Sequence, residues 1–215
     1  VAVGLDKRFN KNHLHLSFEA FYKKMNNQID YKSHARMLLN PLLESELRFG
    51  DAWSYGLEFL LRKNRGRMTG WISYTLSKTR RKIKGLNLDR IYPAAYDRPH
   101  DFNIFCHYRL SDRWNISATW KYSSGAAITR PTGFYYYQNY AVPVYTEKNN
   151  ARLPDYHRLD VSVGFDINPG TEKRFRHDIT LSVFNLYGRK NPMTYNFNKI
   201  ITEDGTFVIP VDYST

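Results

Sequence analysis

The clearest pattern in the chain is a strict alternation of apolar and polar side chains between positions 114 and 122. Successive side chains of a β-strand point to opposite faces of the sheet, so a period of two predicts a strand with one apolar and one polar face. Large aromatic rings bracket the apolar face. That face carries Trp114, Ile116, Ala118, Trp120 and Tyr122, and the opposite face carries Asn115, Ser117, Thr119 and Lys121.

The same alternation recurs along the chain and predicts nine strands, of which the first and last are incomplete. The connections between them alternate between short turns and long polar loops. A short helix within positions 35–47 is an alternative inside the first long loop, because the residues there favour helices. The predicted strands cover positions 1–8, 13–31, 54–62, 67–78, 101–110, 114–122, 158–167 and 177–187, and the last begins near Thr206.

This segregation of connections favours a membrane barrel. Transmembrane β-barrels have short periplasmic turns, longer extracellular loops and tilted strands of roughly 9–11 residues. The prediction is therefore an all-β fold, a transmembrane antiparallel up-and-down β-barrel, present as a partial wall of about nine strands. A soluble or surface-displayed carbohydrate-binding β-sandwich is the alternative, but it would not need this segregation, because its loops fall at both ends without a length rule. The expected lipid-facing girdle is Tyr55, Tyr74, Tyr108, Trp114, Trp120 and Tyr122.

Composition agrees with this interpretation. Hydrophobic residues make up 42% of the chain, aromatic residues make up 16%, and the mean hydropathy is −0.60. A barrel keeps a low hydropathy because half of each strand faces a wet lumen. The single cysteine, Cys106, excludes an internal disulfide framework. Positions 1–5 and 208–215 both resemble strand interiors, so we expect positions 1–215 to form one partial barrel domain of a longer protein.

No group of residues predicts catalysis, so we expect no enzyme activity, no cofactor and no metal. His13 and His15 lie two positions apart, but a pair without a third ligand is a weak metal site. The segment 97–101 (DRPHD) is interpreted as an ion-paired junction that starts a strand after a proline-restricted turn. Asp160 and Arg158 are interpreted as structural residues at the rim of the lumen.

The long loop at 125–157 contains the segment that we predict to contact a ligand, at positions 129–145. Tyrosine combines a flat apolar ring with a hydroxyl group, so exposed clusters of tyrosine suit contact surfaces. The alternative is that these rings pack within the loop or extend the outer girdle. The candidate residues are Arg130, Phe134, Tyr135, Tyr136, Tyr137, Asn139 and Tyr140, followed by Tyr145.

The net charge of +12 can signal nucleic acid, anionic lipid or an anionic ligand. The densest basic run comprises Arg80, Arg81, Lys82 and Lys84, which we place in a loop next to anionic outer-leaflet headgroups. Binding of an anionic ligand by this run is the sharper alternative. We expect no nucleic-acid partner, because no nucleic-acid-binding motif is present and the charge is dispersed over turns and loops.

Six segments together resemble the barrel of TonB-dependent receptors, in order and spacing like the C-terminal part of receptors from Bacteroidota-type bacteria. The resemblance covers about positions 3–196 and is specific as a set. We expect no plug domain and no TonB-contacting segment within positions 1–215. The segments are 55–58 (YGLE), 70–77 (GWISYTLS), 96–101 (YDRPHD), 123–125 (SSG), 154–160 (PDYHRLD) and 183–192 (VFNLYGRKNP).

The resemblance implies an outer-membrane location and a 22-stranded barrel with a plugged lumen, in which these nine strands would be numbers 14 to 22. It also implies a transporter that binds a scarce or bulky substrate at extracellular loops and imports it with TonB-derived energy. The implied partners are the plug domain and remaining strands of the same receptor, the TonB complex, a surface lipoprotein and outer-membrane lipid. The substrate is left open among iron chelates, corrinoids, glycans and peptides.

Overall fold

The alternating segments pair into one continuous antiparallel sheet. The computed structural model describes residues 1–33, 35–138, 140–170, 175–197, 200–201, 207–208 and 211–214. The strands of this sheet are β1 (Ala2–Phe9), β2 (Leu14–Tyr31), β3 (Leu47–Lys63), β4 (Met68–Ile83), β5 (Tyr92–Pro93), β6 (His100–Arg109), β7 (Trp114–Ser123), β12 (Tyr156–Asp166) and β13 (Asp178–Val183). The eight long strands follow the order β1-β2-β3-β4-β6-β7-β12-β13, and the short strand β5 pairs with β4.

The remaining strands form four small two-stranded sheets in the connections and towards the end of the chain. Two 3₁₀ turns, Leu43–Glu46 and Asn87–Asp89, lie in the first two long loops. Within the described residues, no helix combines the length and apolar character that crossing a membrane requires. The pairs are β8 (Ala127–Ile128) with β11 (Ala151–Arg152), β9 (Gly133–Tyr137) with β10 (Tyr140–Val144), β14 (Thr194–Phe197) with β17 (Val211–Ser214), and β15 (Ile200–Ile201) with β16 (Phe207–Val208).

The register of the strands gives the main sheet an apolar face and a polar face. Directly paired residues of an antiparallel sheet point to the same side, so rows of partners define each face. One row on the apolar face is Leu5, Phe18, Phe59, Tyr74, Phe102, Tyr122 and His157. The row one position further along, on the polar face, is Asp6, Ser17, Leu60, Ser73, Asn103, Lys121 and Arg158.

Aromatic rings pack laterally on the apolar face but are not covered by protein. Phe102 and Trp120 lie 5.6 Å apart between ring centroids, and Trp114 and Phe165 lie 4.6 Å apart. Trp114 nevertheless exposes 48% of its surface. The β-sandwich alternative requires a second sheet on this face, and none of the strands that the structure describes provides one. That alternative is therefore wrong, and the prediction of a one-sheet barrel wall is confirmed.

The strands extend further on the loop side than the sequence pattern predicted. β3 begins at Leu47 and not at Ser54, and β4 continues to Ile83, five residues beyond its predicted end. The basic run from Arg80 to Lys82 therefore lies in a strand, and its prediction as part of a loop is wrong. The side chains of this run still alternate between the two sides of the sheet. Arg81 and Ile83 face the polar side, where the long loops form what we call the loop layer, and Arg80 and Lys82 face the opposite side.

Two predicted elements differ towards the end of the chain. β13 ends at Val183, four residues before its predicted end, because Asn185 (φ 52°) and Gly188 (φ 62°) adopt left-handed conformations that break an extended strand. The start of the last predicted strand, Thr206, lies outside the described residues. The described strands that follow it pair with β14 and β15 and not with the main sheet.

Candidate functional site on the loop side of the sheet

The candidate site depends on a β-bulge in β2. The pairing of β2 with β3 shifts between Met25 and Gln28, and Asn27 adopts a left-handed conformation with φ of 55°. A bulge adds one residue to one strand and so reverses which face the following side chains occupy. Asp30 consequently pairs with Arg48 on the polar face, whereas Ile29 joins the apolar face. Without the bulge, a carboxylate would point to the apolar side.

Asp30 is the centre of a half-buried group that we call the Asp30 cluster, comprising Asp30, Arg81, Tyr92 and Lys148. Its carboxylate accepts hydrogen bonds from the Tyr92 hydroxyl at 2.8 Å, from Lys148 Nζ at 2.5 Å and from Arg81 Nη1 at 3.4 Å. The Asp30 side chain is only 15% exposed. The four residues come from β2, β4, β5 and the long loop between β7 and β12, so one carboxylate ties that loop to β2, β4 and β5.

The electrostatics of this cluster favour the charged carboxylate. Burial by itself would raise the pKa of Asp30, but hydrogen bonds from Lys148 and Tyr92 and the Lys148 charge hold it below the usual value of 3.8. Burial and the adjacent carboxylate raise the pKa of the Tyr92 phenol, so that phenol stays protonated and can donate. Asp30 lies beyond the roughly 9–11 residues of β2 that a bilayer requires.

Asp97 and Arg152 form a second connection between the same loops. The side chain of Asp97 is 2% exposed and forms an ion pair with Arg152, and it also accepts the backbone N–H of Thr79. Arg152 Nη1 donates to the carbonyl oxygens of Asp97 at 2.6 Å and of Gly125 at 3.1 Å. The predicted ion-paired junction at 97–101 is thus present, and its main partner is an arginine 55 positions further along the chain.

Gly125 permits a close approach between two backbone segments of the long loop. A Cβ atom at this position would lie 1.6 Å from the carbonyl oxygen of Leu153, so no other residue fits without moving the backbone. The N–H of Gly125 donates to Asp155, which also accepts the Tyr122 hydroxyl at 2.6 Å. The Tyr122 hydrogen bond is the main reason that the pKa of Asp155 lies below its usual value.

The predicted contact segment forms a two-stranded hairpin, β9–β10, which we call the aromatic hairpin. Thr129 and Asn149 join its base through two hydrogen bonds, and Asn149 also donates to the carbonyl of Pro93 at 2.7 Å. Its rings are open to solvent. The exposed fractions are 40% for Phe134, 54% for Tyr135, 61% for Tyr136 and 62% for Tyr137.

The other predicted contact residues are placed less uniformly. Arg130 is exposed at the base of the hairpin, where its backbone exchanges two hydrogen bonds with the Asn150 side chain. Tyr140 pairs with Tyr137 through the backbone. Asn139 lies outside the described residues. Tyr145 contributes to the wall of a cavity of about 480 Å³ next to Asp30, together with Lys32, Met37, Asn87 and Lys148.

Sequence reasoning did not select the Asp30 cluster. No local motif marks these residues, because their partners are separated by 51 to 118 positions. The two histidines that were considered as a weak metal pair have different surroundings in the structure. His13 lies in the turn before β2 with φ of 53°, and His15 contacts Asp6 on the polar face at 2.7 Å.

The predicted girdle residues all lie on the apolar face, at both ends of the strands. Tyr108 and Trp114 lie near the turn side, and Tyr55, Tyr74 and Tyr122 lie near the loop side. Trp120 stacks against Tyr122 with ring centroids 6.2 Å apart. Their contact with lipid stays a prediction.

Comparison with known proteins defines the class to which this architecture belongs. The family model described as "TonB dependent receptor-like, beta-barrel" matches residues 2–186, so the chain belongs to that family, and the predicted family and outer-membrane location are confirmed. The finer resemblance to Bacteroidota-type receptors and the numbering of the strands as 14 to 22 stay predictions.

The fold is similar to that of a solved structure. It is the crystal structure of the ferric-catecholate import receptor Fiu from K12 E. coli in its closed form. The sequences are 16% identical, the TM-score is 0.59, and the match covers 89% of this chain. This chain spans 23% of that receptor's length. No curated protein matches the chain.

Proposed function

We propose that this chain forms part of the wall and of the substrate-binding loop layer of a TonB-dependent outer-membrane transporter. In such a transporter the substrate binds from outside, and TonB-derived energy acts on a plug domain to open a path through the lumen. The chain's partners in this proposal are the plug domain, the remaining strands and the TonB complex. The continuous two-faced sheet is the observation that carries the proposal.

The faces and the connections support the same orientation. An apolar face that no described strand covers suits hydrocarbon, and the polar face suits a hydrated lumen. The long connections all leave one end of the sheet, the end that is extracellular in barrels of this kind. A substrate arriving from outside would therefore first meet the loop layer and the aromatic hairpin.

The loop layer is built to hold the aromatic hairpin in place. The Asp30 cluster and the Asp97–Arg152 pair hold the C-terminal part of the long loop, at Lys148 and Arg152, and Asn149 fastens the base of the hairpin. Binding loses less free energy when the contact surface is ordered in advance. An anchored base with exposed rings at its tip therefore suits recognition better than a fully mobile loop would.

The chemistry of the hairpin suits an anionic ligand with flat aromatic rings, and we propose a ferric catecholate as its ligand class. Tyrosine rings stack on aromatic ligands, and Arg130 together with the net charge of +12 attracts anions. The similar barrel of Fiu carries the name of a ferric-catecholate import receptor.

Uptake by the complete receptor tests the transport proposal. Iron-starved cells that express the full-length protein would receive a radiolabelled ferric catecholate, with and without a functional TonB. We expect accumulation that depends on TonB. Equal accumulation in both strains would contradict energised transport, and no accumulation in either would contradict the proposed ligand class.

Binding to the purified receptor tests the hairpin. We expect the double variant Tyr135→Ala and Tyr137→Ala to weaken binding of the same ferric catecholate by about tenfold or more, because each lost ring contact contributes about 0.5–1.5 kcal/mol. Tyr108→Ala, which removes a ring on the turn side, is the control and should leave affinity unchanged. Equal effects of both changes would contradict a contact role for the hairpin.

A further inference from the structure

The apolar face changes character where β2, β3 and β4 continue past the aromatic residues on the loop side. The row Tyr22, Tyr55 and Lys78 is followed by the row Lys24, Trp53 and Arg80, and then by the pair Asp51 and Lys82. Partners in one row share one side of the sheet, so four basic residues occupy the outward side. We call Lys24, Lys78, Arg80 and Lys82 the basic patch.

The basic patch is not neutralised within the part of the chain that the structure describes. None of the ion pairs among the described residues involves any of its four side chains. Lys24, Lys78 and Lys82 are exposed, and Arg80 is half-buried. Asp51 is the acidic residue directly paired within these rows, opposite Lys82. The patch therefore carries a net positive charge that structural ion pairing does not explain.

The height of the patch on the sheet is set by strand length. β2, β3 and β4 contain 18, 17 and 16 residues, whereas a tilted strand needs roughly 9–11 to cross the hydrocarbon. Tyr22 and Tyr55 are aromatic residues of the type that marks the interface of a barrel with its bilayer. The basic rows begin beside these rings and continue past them, at the level of the headgroups.

The structure separates this patch from the adjacent arginine. Arg81 points to the polar face, where it contacts Asp30, so it belongs to the loop anchor. Arg80 and Lys82, its neighbours in sequence, point outward. Only part of the basic run therefore points outward, and Lys24 and Lys78 share that side from positions that are distant in sequence.

We infer that the basic patch binds the phosphate groups of lipids in the outer leaflet. Lysine and arginine form charge-assisted hydrogen bonds with phosphate oxygens, and an arginine can bind two oxygens at once. The patch is continuous with an apolar surface that suits acyl chains, so one lipid can engage both parts. A soluble anion would engage only the charges. The inference goes beyond the transport proposal and shares with it only the outward orientation of the apolar face.

The test is binding of phosphorylated lipid to the full-length receptor in a neutral detergent, followed by native mass spectrometry. The probes are lipid A and the same lipid A after enzymatic removal of its phosphates. The test variant carries Lys78→Gln and Lys82→Gln. Because each lysine near an anionic lipid surface contributes about 1 kcal/mol, we expect about a 30-fold loss of lipid A affinity for the double variant.

The matched control carries Lys23→Gln and Lys121→Gln, which remove the same charge from exposed positions on the polar face. We expect the control to bind lipid A like the wild type, and dephosphorylated lipid A to bind all three proteins equally and weakly. Equal losses in both variants, or equal binding of the two lipids by the wild type, would overturn the inference. TonB-dependent uptake by the test variant reports on the transport proposal separately.

Discussion

Lys148 Nζ lies 2.5 Å from a carboxylate oxygen of Asp30, although 118 positions of sequence separate the two residues. This contact joins the long loop that carries the aromatic hairpin to the end of β2, which lies four places from β7 in the sheet order. The bulge at Asn27 makes the contact available by turning Asp30 to the polar face. The position of the loop that carries the aromatic hairpin is therefore linked to the architecture of the wall through one carboxylate.

Removal of the Asp30 charge should release the long loop. Hydrogen bonds to charged groups contribute about 1.5–3 kcal/mol, so Asp30→Asn should increase amide exchange at Lys148 and Asn149 by at least about tenfold. Hydrogen exchange of the full-length receptor measures this effect. Asp6→Asn, which changes an exposed carboxylate on the turn side, should leave these amides unchanged. Unchanged protection in Asp30→Asn would show that the cluster does not hold the loop.

The same contact should respond to acid in a defined direction. The pKa of Asp30 is lower in the folded protein than its ordinary value of 3.8. Its contribution to loop attachment is therefore fully present above about pH 4 and is lost as the pH falls through the folded-state value. We expect constant protection of the Lys148 amide between pH 7 and pH 5, and a decrease below pH 4 that Asp30→Asn lacks. A decrease centred near pH 6 would contradict this assignment.

Gly125 and Gly133 give a matched pair for testing the loop layer. Gly125→Ala places a methyl group against the Leu153 carbonyl and should destabilise the layer by about 1–3 kcal/mol. Gly133→Ala meets no atom within 4 Å, so it should change little. Thermal unfolding of the full-length receptor, followed on gels that separate folded from unfolded barrels, compares the two variants. Equal midpoints would contradict the close approach at Gly125.

Adjacent residues of β7 should respond oppositely to a charge. Ala118 lies in the middle of the apolar face, and Thr119 lies next to it on the polar face. An arginine at a lipid-facing position near the bilayer centre costs about 2–4 kcal/mol. Ala118→Arg should therefore lower the urea midpoint of the receptor in lipid vesicles, whereas Thr119→Arg should have a small effect. A larger effect of Thr119→Arg would reverse the assignment of the faces.

The period-two pattern was sufficient to predict which side chains share a face. Trp114 to Tyr122 and their counterparts in seven other strands occupy the predicted faces, because alternation is a local property of an extended chain. The pattern did not reveal where β4 ends, because its last residues alternate between the apolar side of the sheet and the loop layer. Ile83 is fully buried in that layer and packs with Leu86 and Tyr92 in a small core. No local sequence pattern predicts this core.

The bulge and the anchors depend on contacts that are distant in sequence. Nothing around Asn27 indicates that an extra residue will be inserted, and the result reverses the faces of Ile29 and Asp30. Tyrosines at 135–137 identified an exposed surface correctly from their chemistry. The loop layer that supports that surface was not predictable. Asp30, Asp97 and Arg152 contact residues that are distant in sequence, and no local motif marks such contacts.

The orientation of the apolar face is the central claim, and site-directed spin labelling along β7 tests it most directly. In the full-length receptor with Cys106→Ala, single cysteines from position 114 to 123 would carry a nitroxide, and collisions with oxygen and with a water-soluble nickel chelate would be measured in lipid vesicles. We predict strong oxygen contact at 116, 118 and 120 and strong nickel contact at 117, 119 and 121. Collision profiles without this two-residue alternation, or with the opposite phase, would contradict the membrane-facing assignment.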